Sequence, residues 1–399
     1  MTSRTMHREE PARRLFVVWG ARGPGAPPPA GAAARRRGRA GARGRARVAA
    51  LAWGVAVALA WGGTPARAQE GNGGGERDGA ARTAPRSAGS PWLPRVRLDN
   101  DAYNFWLHPG HRTDEEYTNG VVLAVEALRA PWWGKRLGGA APGCAASAQG
   151  EGACLSTQFS LAQEMYTPNL DRPPYSSPDW ERERPYAAWL YVGAEGRRIS
   201  ARALRTYSLA VGVTGPPALG SLAQSIAHAI TSKYTTRATG WETQVGFEPG
   251  VVLGVRQSLL LARWAPGGHG VLDLAPSAAV SLGNIRTAAD LGARVRMGIN
   301  LSHPWDPREW RGRGPWELQL QAGGRREYVA HDFSLDGTLF TTPTRLVTRV
   351  PTVSEYEFGA ALRLRRLTVG WRAVTRSREY ATGPARHAWS QMYSALEFH

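Results

Sequence analysis

The sequence predicts an all-β protein: a 12-stranded antiparallel transmembrane β-barrel with a short helix in a long extracellular loop. Three observations carry that expectation. After Trp92 the chain becomes a series of segments about ten residues long in which apolar and polar residues alternate, the period of a strand with two unlike faces. In several segments the apolar face ends in Trp or Tyr while the polar face carries charge and glycine, the signature of a lipid-facing exterior around a polar interior. An export signature precedes these segments. The soluble alternative is a secreted β-sandwich or lipocalin-like barrel, which would reverse the faces or bury one sheet face against another.

The charge has to be located before it is interpreted. Of the net +18, the first 68 residues supply +11, with 13 arginines against two glutamates. The remainder is mildly basic, which argues against a dedicated nucleic-acid surface. Arg43, Arg45 and Arg47 form a basic n-region, Val48 to Trp61 is an apolar run, and Ala66-Arg67-Ala68 supplies a small-residue cleavage pattern. The mature chain is expected to start near Gln69. The Val48–Trp61 run is short for a membrane span. Residues 1–68 therefore read as an N-terminal extension plus signal peptide, 69–91 as a disordered spacer of Gly, Arg, Ser and Pro, and 92–399 as an outer-membrane barrel. Cys144 and Cys154, the only cysteines, lie in a Gly/Ala-rich loop of an exported chain; they are placed to close a small disulfide and make zinc binding unlikely.

Strands are expected to start near 95, 117, 156, 186, 203, 244, 271, 288, 315, 353, 367 and 387. The cleanest runs from Leu291 to Leu301, where Leu291, Ala293, Val295, Met297, Ile299 and Leu301 alternate with Gly292, Arg294, Arg296, Gly298 and Asn300. With the N-terminus periplasmic, the outer loops fall at about 104–116, 167–184, 214–243, 283–287, 331–350 and 379–386, and the cysteines fall on a periplasmic turn.

One outer loop has its own pattern. Ser221 to Ser232 lacks Gly and Pro and spaces Leu222, Ala223, Ile226, Ala227 and Ile230 as a helix with an apolar stripe. Gln224 and His228, four apart, share a face of that helix. Asp99-Asn100-Asp101 ends the first strand and Tyr117-Thr118-Asn119-Gly120 opens the second, so both clusters sit at the outer rim of neighbouring strands. Alternation turns Asp101 and Thr118 inward and leaves Asn100 at the rim. The helix would hang over the same rim, bringing a carboxylate, amides, a hydroxyl and an imidazole to one mouth. A polar network that merely anchors the loops would use the same residue types.

Asn100-Asp101, followed by Glu116-Tyr117-Thr118-Asn119-Gly120, resembles the start of the lipid A 3′-O-deacylase family of outer-membrane proteins. Tyr166-Thr167-Pro168 agrees, as do Glu183-Arg184-Pro185-Tyr186-Ala187-Ala188-Trp189-Leu190-Tyr191 and Gly215-Pro216 with Ala218-Leu219-Gly220, Gln224, His228, Gly240-Trp241, Gln244 and Glu248-Pro249. The pieces occur in the family's order and span essentially all of 95–399. The resemblance implies a twelve-stranded barrel in the cell outer membrane with its active site at the lipid-facing mouth. It implies a calcium-dependent esterase acting on the 3′-linked acyl or acyloxyacyl chain of lipid A, the lipopolysaccharide anchor in the outer leaflet. His228 would be the general base that activates water, Asp101 would help hold Ca2+ to stabilise the oxyanion, and Asn100, Thr118 and Gln224 match further site positions. An imidazole titrating near neutrality and a hard cation suit that chemistry. No Gly-x-Ser-x-Gly elbow occurs. The sequence departs from the family in the second outer loop, where similar proteins place a lysine; Asn169–Glu183 holds Arg172 and Arg182 instead, which are able to grip a lipid phosphate. His108 and His111 lack further ligands and read as solvated. The competing reading is a non-enzymatic barrel, a narrow porin or surface-binding protein; a third is a calcium-dependent phospholipase, for which no serine–histidine pair on adjacent strands is found.

Overall fold

The structure is a computed structural model that describes residues 92–101, 104, 116–132, 134, 141–144, 152–168, 182–231, 240–266, 269–306, 314–340 and 347–397, with only the backbone of 228–231. The expected leader, spacer, His108, His111 and Arg172 lie outside the described residues.

Alternation becomes a closed sheet. The strands are β1 (Trp92–Asn100), β2 (Glu116–Ala127), β3 (Cys154–Thr167), β4 (Ala187–Ile199), β5 (Ala203–Thr214), β6 (Pro249–Leu259), β7 (Ala262–Trp264), β8 (Gly270–Gly283), β9 (Arg286–Ile299), β10 (Trp316–Asp332), β11 (Thr352–Leu364), β12 (Leu367–Ser377) and β13 (Arg386–Leu396). Each stave pairs antiparallel with the next, β6 pairs with β8, and β1 pairs with β13, so twelve staves close the barrel. The three-residue β7 lies on the lower part of β8 and is not a stave. Closure removes the unpaired edges that a bilayer would penalise. The sixth stave begins at Pro249 and not near 244, because residues 241–243 form a 3-10 turn and the next residues bond outside the ladder: the Val245 amide donates to the Tyr186 carbonyl and the Gly246 carbonyl accepts from the Thr214 hydroxyl.

The faces fall as the alternation requires. Val96, Leu98, Leu123, Phe159, Leu161, Val192, Leu253, Leu291, Met297, Leu320 and Phe358 point out of the sheet and are exposed. Trp92, Trp132, Trp264 and Trp316 are exposed at the end that carries the N-terminus, as one aromatic girdle. Inside, opposite charges are laddered across strands: Glu126 takes Arg95 (2.6 Å) and Arg197 (2.8 Å), Glu327 takes Arg286 (2.8 Å) and Arg376 (2.6 Å), and Glu357 takes Arg294 (2.7 Å) and Arg372 (3.1 Å). These pairs surround a polar cavity of about 750 Å3.

Both ends of that cavity are packed. At the extracellular end, Tyr117, Tyr166, Trp189, Ile285, Phe333, Val374 and Trp389 form one apolar cluster, with Tyr117 and Trp389 edge-on at 5.1 Å. At the periplasmic end, Leu93, Leu128, Ile199 and Trp305 pack with the disulfide between Cys144 and Cys154. Trp305 donates from its indole nitrogen to the Ser200 carbonyl at 3.1 Å. Aromatic side chains thus pack at both ends of the described barrel.

Candidate active site at the outer wall

Of the expected site residues, Asn100, Asp101 and Thr118 lie at the extracellular ends of β1 and β2. Asn100 is the last residue of β1, paired with Asn119 on one side and Ser390 on the other. Its amide donates to the Thr118 carbonyl at 3.3 Å, and the backbone N–H of Asp101 donates to the same oxygen, also at 3.3 Å. One backbone acceptor thus ties the ends of the two strands together, and Asp101 is fully buried there.

Thr118 does not follow the expected parity. The β2–β3 register shifts between Tyr117, opposite Tyr166, and Asn119, opposite Met165, so Thr118 is the additional residue of a bulge. Tyr117 keeps the inward side, where its hydroxyl donates to Asp99 at 2.9 Å. The Thr118 hydroxyl instead shares a 2.6 Å hydrogen bond with that of Thr167, which has the outward parity of Met165 and Gln163. The expectation that Thr118 faces inward is therefore corrected: the bulge re-aims it to the outer side of the wall.

That outer side is where the loop helix docks. After Thr214 the chain passes through Gly215, at φ 72°, into a 3-10 turn at Pro216–Ala218 and then α1 (Gly220–Thr231). The Gln163 amide on β3 donates to the Ala218 carbonyl at 2.6 Å. Met165, Tyr186, Ala188, Ala218 and Trp241 form a buried cluster between wall and helix. Gly220 is needed by the closeness of that packing, since a Cβ there would sit 2.4 Å from the Trp241 ring and 2.7 Å from the Ala188 Cβ. Gln224 is buried, and its carbonyl oxygen accepts from the Trp241 indole at 2.6 Å. This residue therefore pins α1 to the following 3-10 turn. His228 lies one turn further along α1; its side chain is outside the described residues. Arg182 is exposed, its carbonyl accepting from the Thr382 hydroxyl at 2.5 Å.

A second polar cluster at this end was not expected as a unit. Arg184 is fully buried and donates to Glu116 (2.8 Å), Glu379 (3.3 Å) and the Ser334 hydroxyl (2.7 Å), with its guanidinium 4.6 Å from the Tyr166 ring centroid. The Tyr380 hydroxyl donates to Glu116 at 2.7 Å and shares Glu183 at 2.9 Å. Burial disfavours the Glu379 charge, but Arg376, His387 and Arg184 outweigh it and hold the carboxyl down to about 2. Burial likewise works against the Arg184 charge, and Glu116 and Glu379 reverse that and raise its pKa. Glu116 is held at φ 71°, a left-handed conformation that costs a non-glycine residue about 1–3 kcal/mol. The motif around Glu183-Arg184 was visible in the sequence, but its partners arrive from three separate loops.

A bilayer-facing exterior, a charged interior, and aromatic residues at the rim define an outer-membrane β-barrel with a loop helix clamped to its outer wall. Residues 51–398 match the profile of the family described as outer membrane protein LpxR, and the chain belongs to that family, as its motifs implied. Among solved structures, LpxR from Salmonella typhimurium superposes with a TM-score of 0.61 at 20% identity, over 77% of this chain and 100% of that one. The β-domain of the Bordetella autotransporter BrkA superposes far less well, with a TM-score of 0.35 at 9% identity over 78% of this chain and 99% of that one. No curated protein sequence matches.

Proposed function

We propose that the chain is a lipid A 3′-O-deacylase, hydrolysing the 3′-linked acyl or acyloxyacyl ester of lipid A in the outer leaflet. The observation that carries this reading is the position of the polar site. Asn100, Asp101 and Thr118 sit at the ends of β1 and β2, and α1 with Gln224 and His228 is clamped to the outer side of β3 and β4, facing the bilayer and not the interior. A lipid ester reaches such a site laterally without leaving the membrane.

In this reading His228 takes the proton of the attacking water and returns it to the departing sugar hydroxyl, giving a free fatty acid and a 3′-hydroxyl. Gln224 positions the helix that carries His228, and Asn100 and Thr118 orient the ester. Calcium fits the donor chemistry in part: Asp101 supplies a carboxylate, and Asn100, Thr118 and Thr167 supply neutral oxygens of the hard type that this ion takes. Among the described residues no group of three His, Cys, Asp or Glu side chains converges anywhere, so the set is poor in charge and points to weak binding. Bound there, calcium would offset the negative charge developing on the ester oxygen. Arg182 and Arg172 are assigned to lipid phosphates.

Mass spectrometry of lipid A from cells expressing the chain tests the proposal. Loss of the 3′-linked chain with the wild type, and its retention with His228→Ala at equal barrel yield, is the expected result, with turnover down by roughly 10²–10⁴. Unchanged lipid A in both, with and without added calcium, would remove the enzyme reading.

A further inference from the structure

The side of α1 turned away from the wall is uncharged and exposed. Leu222 and Ile226, one turn apart, are each 55% exposed, and Leu219 and Phe247 beside them are exposed as well. From Gly220 to Thr231 the helix carries no Asp, Glu, Lys or Arg. A helix lying on a water-exposed protein surface is expected to turn charged residues outward; this one turns out leucine and isoleucine with the small uncharged Ser221 and Ser225, the Ser225 hydroxyl being spent on the Ser221 carbonyl.

Two features of the wall say what covers them. The first is continuity. The outward residues Gln163, Met165, Ala188 and Leu190 meet the α1 segment, and two residues further down the same strands the outward positions are Leu161 and Val192, the latter 60% exposed. Two residues on a strand are about 7 Å, so α1 adjoins the lipid-facing belt, and the outward Gln163 amide between them is spent on the Ala218 carbonyl. The second is height. Leu190 lies nine residues above Ile199, the periplasmic end of β4. At about 3.4 Å per residue and a tilt of about 40°, that is roughly 23 Å, against an apolar band about 25 Å tall in barrels of this class. The helix therefore sits at the upper margin of the band and not clear of it.

We propose that α1 is an interfacial helix whose Leu222/Ile226 side is immersed in the acyl-chain region of the outer leaflet, so that the barrel's lipid contact extends over the loop helix. The partner is bilayer hydrocarbon, and immersion by about 5–10 Å is what a helix of this kind reaches. The inference goes beyond the hydrolase reading and does not depend on it, since it concerns which solvent the helix meets.

Nitroxide labels at Leu222→Cys and Ile226→Cys test it in the full chain reconstituted in phosphatidylcholine vesicles; both native cysteines are joined in the disulfide and do not compete for label. Val192→Cys serves as the lipid standard and Arg182→Cys as the aqueous standard. Relaxation by oxygen relative to a water-soluble nickel chelate is expected to place both helix labels within about twofold of Val192→Cys and several-fold above Arg182→Cys. Ratios matching Arg182→Cys would overturn the proposal by placing the helix in water. Immobilised spectra with dipolar broadening would overturn it in favour of a second copy of the chain. Neither result bears on lipid A hydrolysis, which the His228→Ala comparison decides separately.

Discussion

The extracellular end carries two polar clusters that differ in kind. The inner one, Arg184 with Glu116, Glu379, Glu183 and Tyr380, is charged, buried and bonded within itself across loops distant in sequence. The outer one, Asn100, Asp101, Thr118, Thr167 and Gln224, has a single carboxylate among amides and hydroxyls and is strung along strand ends and a helix. Strongly displaced titration in a buried cluster often marks an active site. Here it marks the buried end of the barrel, whereas Thr118 and the docked helix α1 lie on the outer side of the wall.

Removing one partner from the inner cluster sharpens the contrast most. Arg184→Ala leaves two buried carboxylates without their cation, at a cost of about 3–5 kcal/mol, and the folded, heat-modifiable form is expected to be lost or to melt far earlier on gels. Retention of wild-type melting would mean that the cluster does not hold the mouth shut. Acid reads the same cluster more gently. The Glu379 carboxyl, normally near 4.5, is held at about 2 in the folded protein, so its contribution is complete above 4.5 and declines as pH falls toward 2. The melting midpoint should therefore fall below about pH 4.5, and Glu379→Gln should flatten that fall.

The outer cluster is expected to respond in activity more than in stability. Gln224→Ala orphans the Trp241 indole and loosens α1 locally. A local cost near 1.4 kcal/mol corresponds to about a tenfold loss of deacylation, with the barrel's melting midpoint unchanged. A large drop in melting instead would make Gln224 part of the scaffold alone. The smallest effect belongs to Arg182→Ala, two residues from Arg184 in sequence but exposed: stability within about 0.5 kcal/mol, with KM for lipid A raised and kcat retained. A fall in kcat with KM unchanged would move Arg182 from substrate binding into the chemistry.

The barrel was largely legible because alternation has a fixed period and lipid and interior select opposite residues; Leu291 to Ile299 runs as read. The rim was less so. The inward assignment of Thr118 failed because a bulge inserts a residue without leaving a mark in the hydrophobic pattern. The sixth stave starts at Pro249 because the preceding residues spend their hydrogen bonds on Tyr186 and Thr214. The helix was visible in its spacing, but its docking on the outside of the wall was not: that depends on Met165 and Ala188, which read in sequence as ordinary strand residues. Arg184 was quoted as part of a motif, yet its role needs Glu116 and Glu379, which only the closed barrel brings together.

The most direct test of a site on the outer wall is a structure of the chain with a lipid A analogue whose 3′-acyl ester is replaced by an amide. The account predicts that the 3′ carbonyl will lie outside the barrel, between α1 and the ends of β1 and β2, in contact with Asn100 or Thr118. A carbonyl inside the 750 Å3 interior cavity, or on a different sector of the wall, would contradict it.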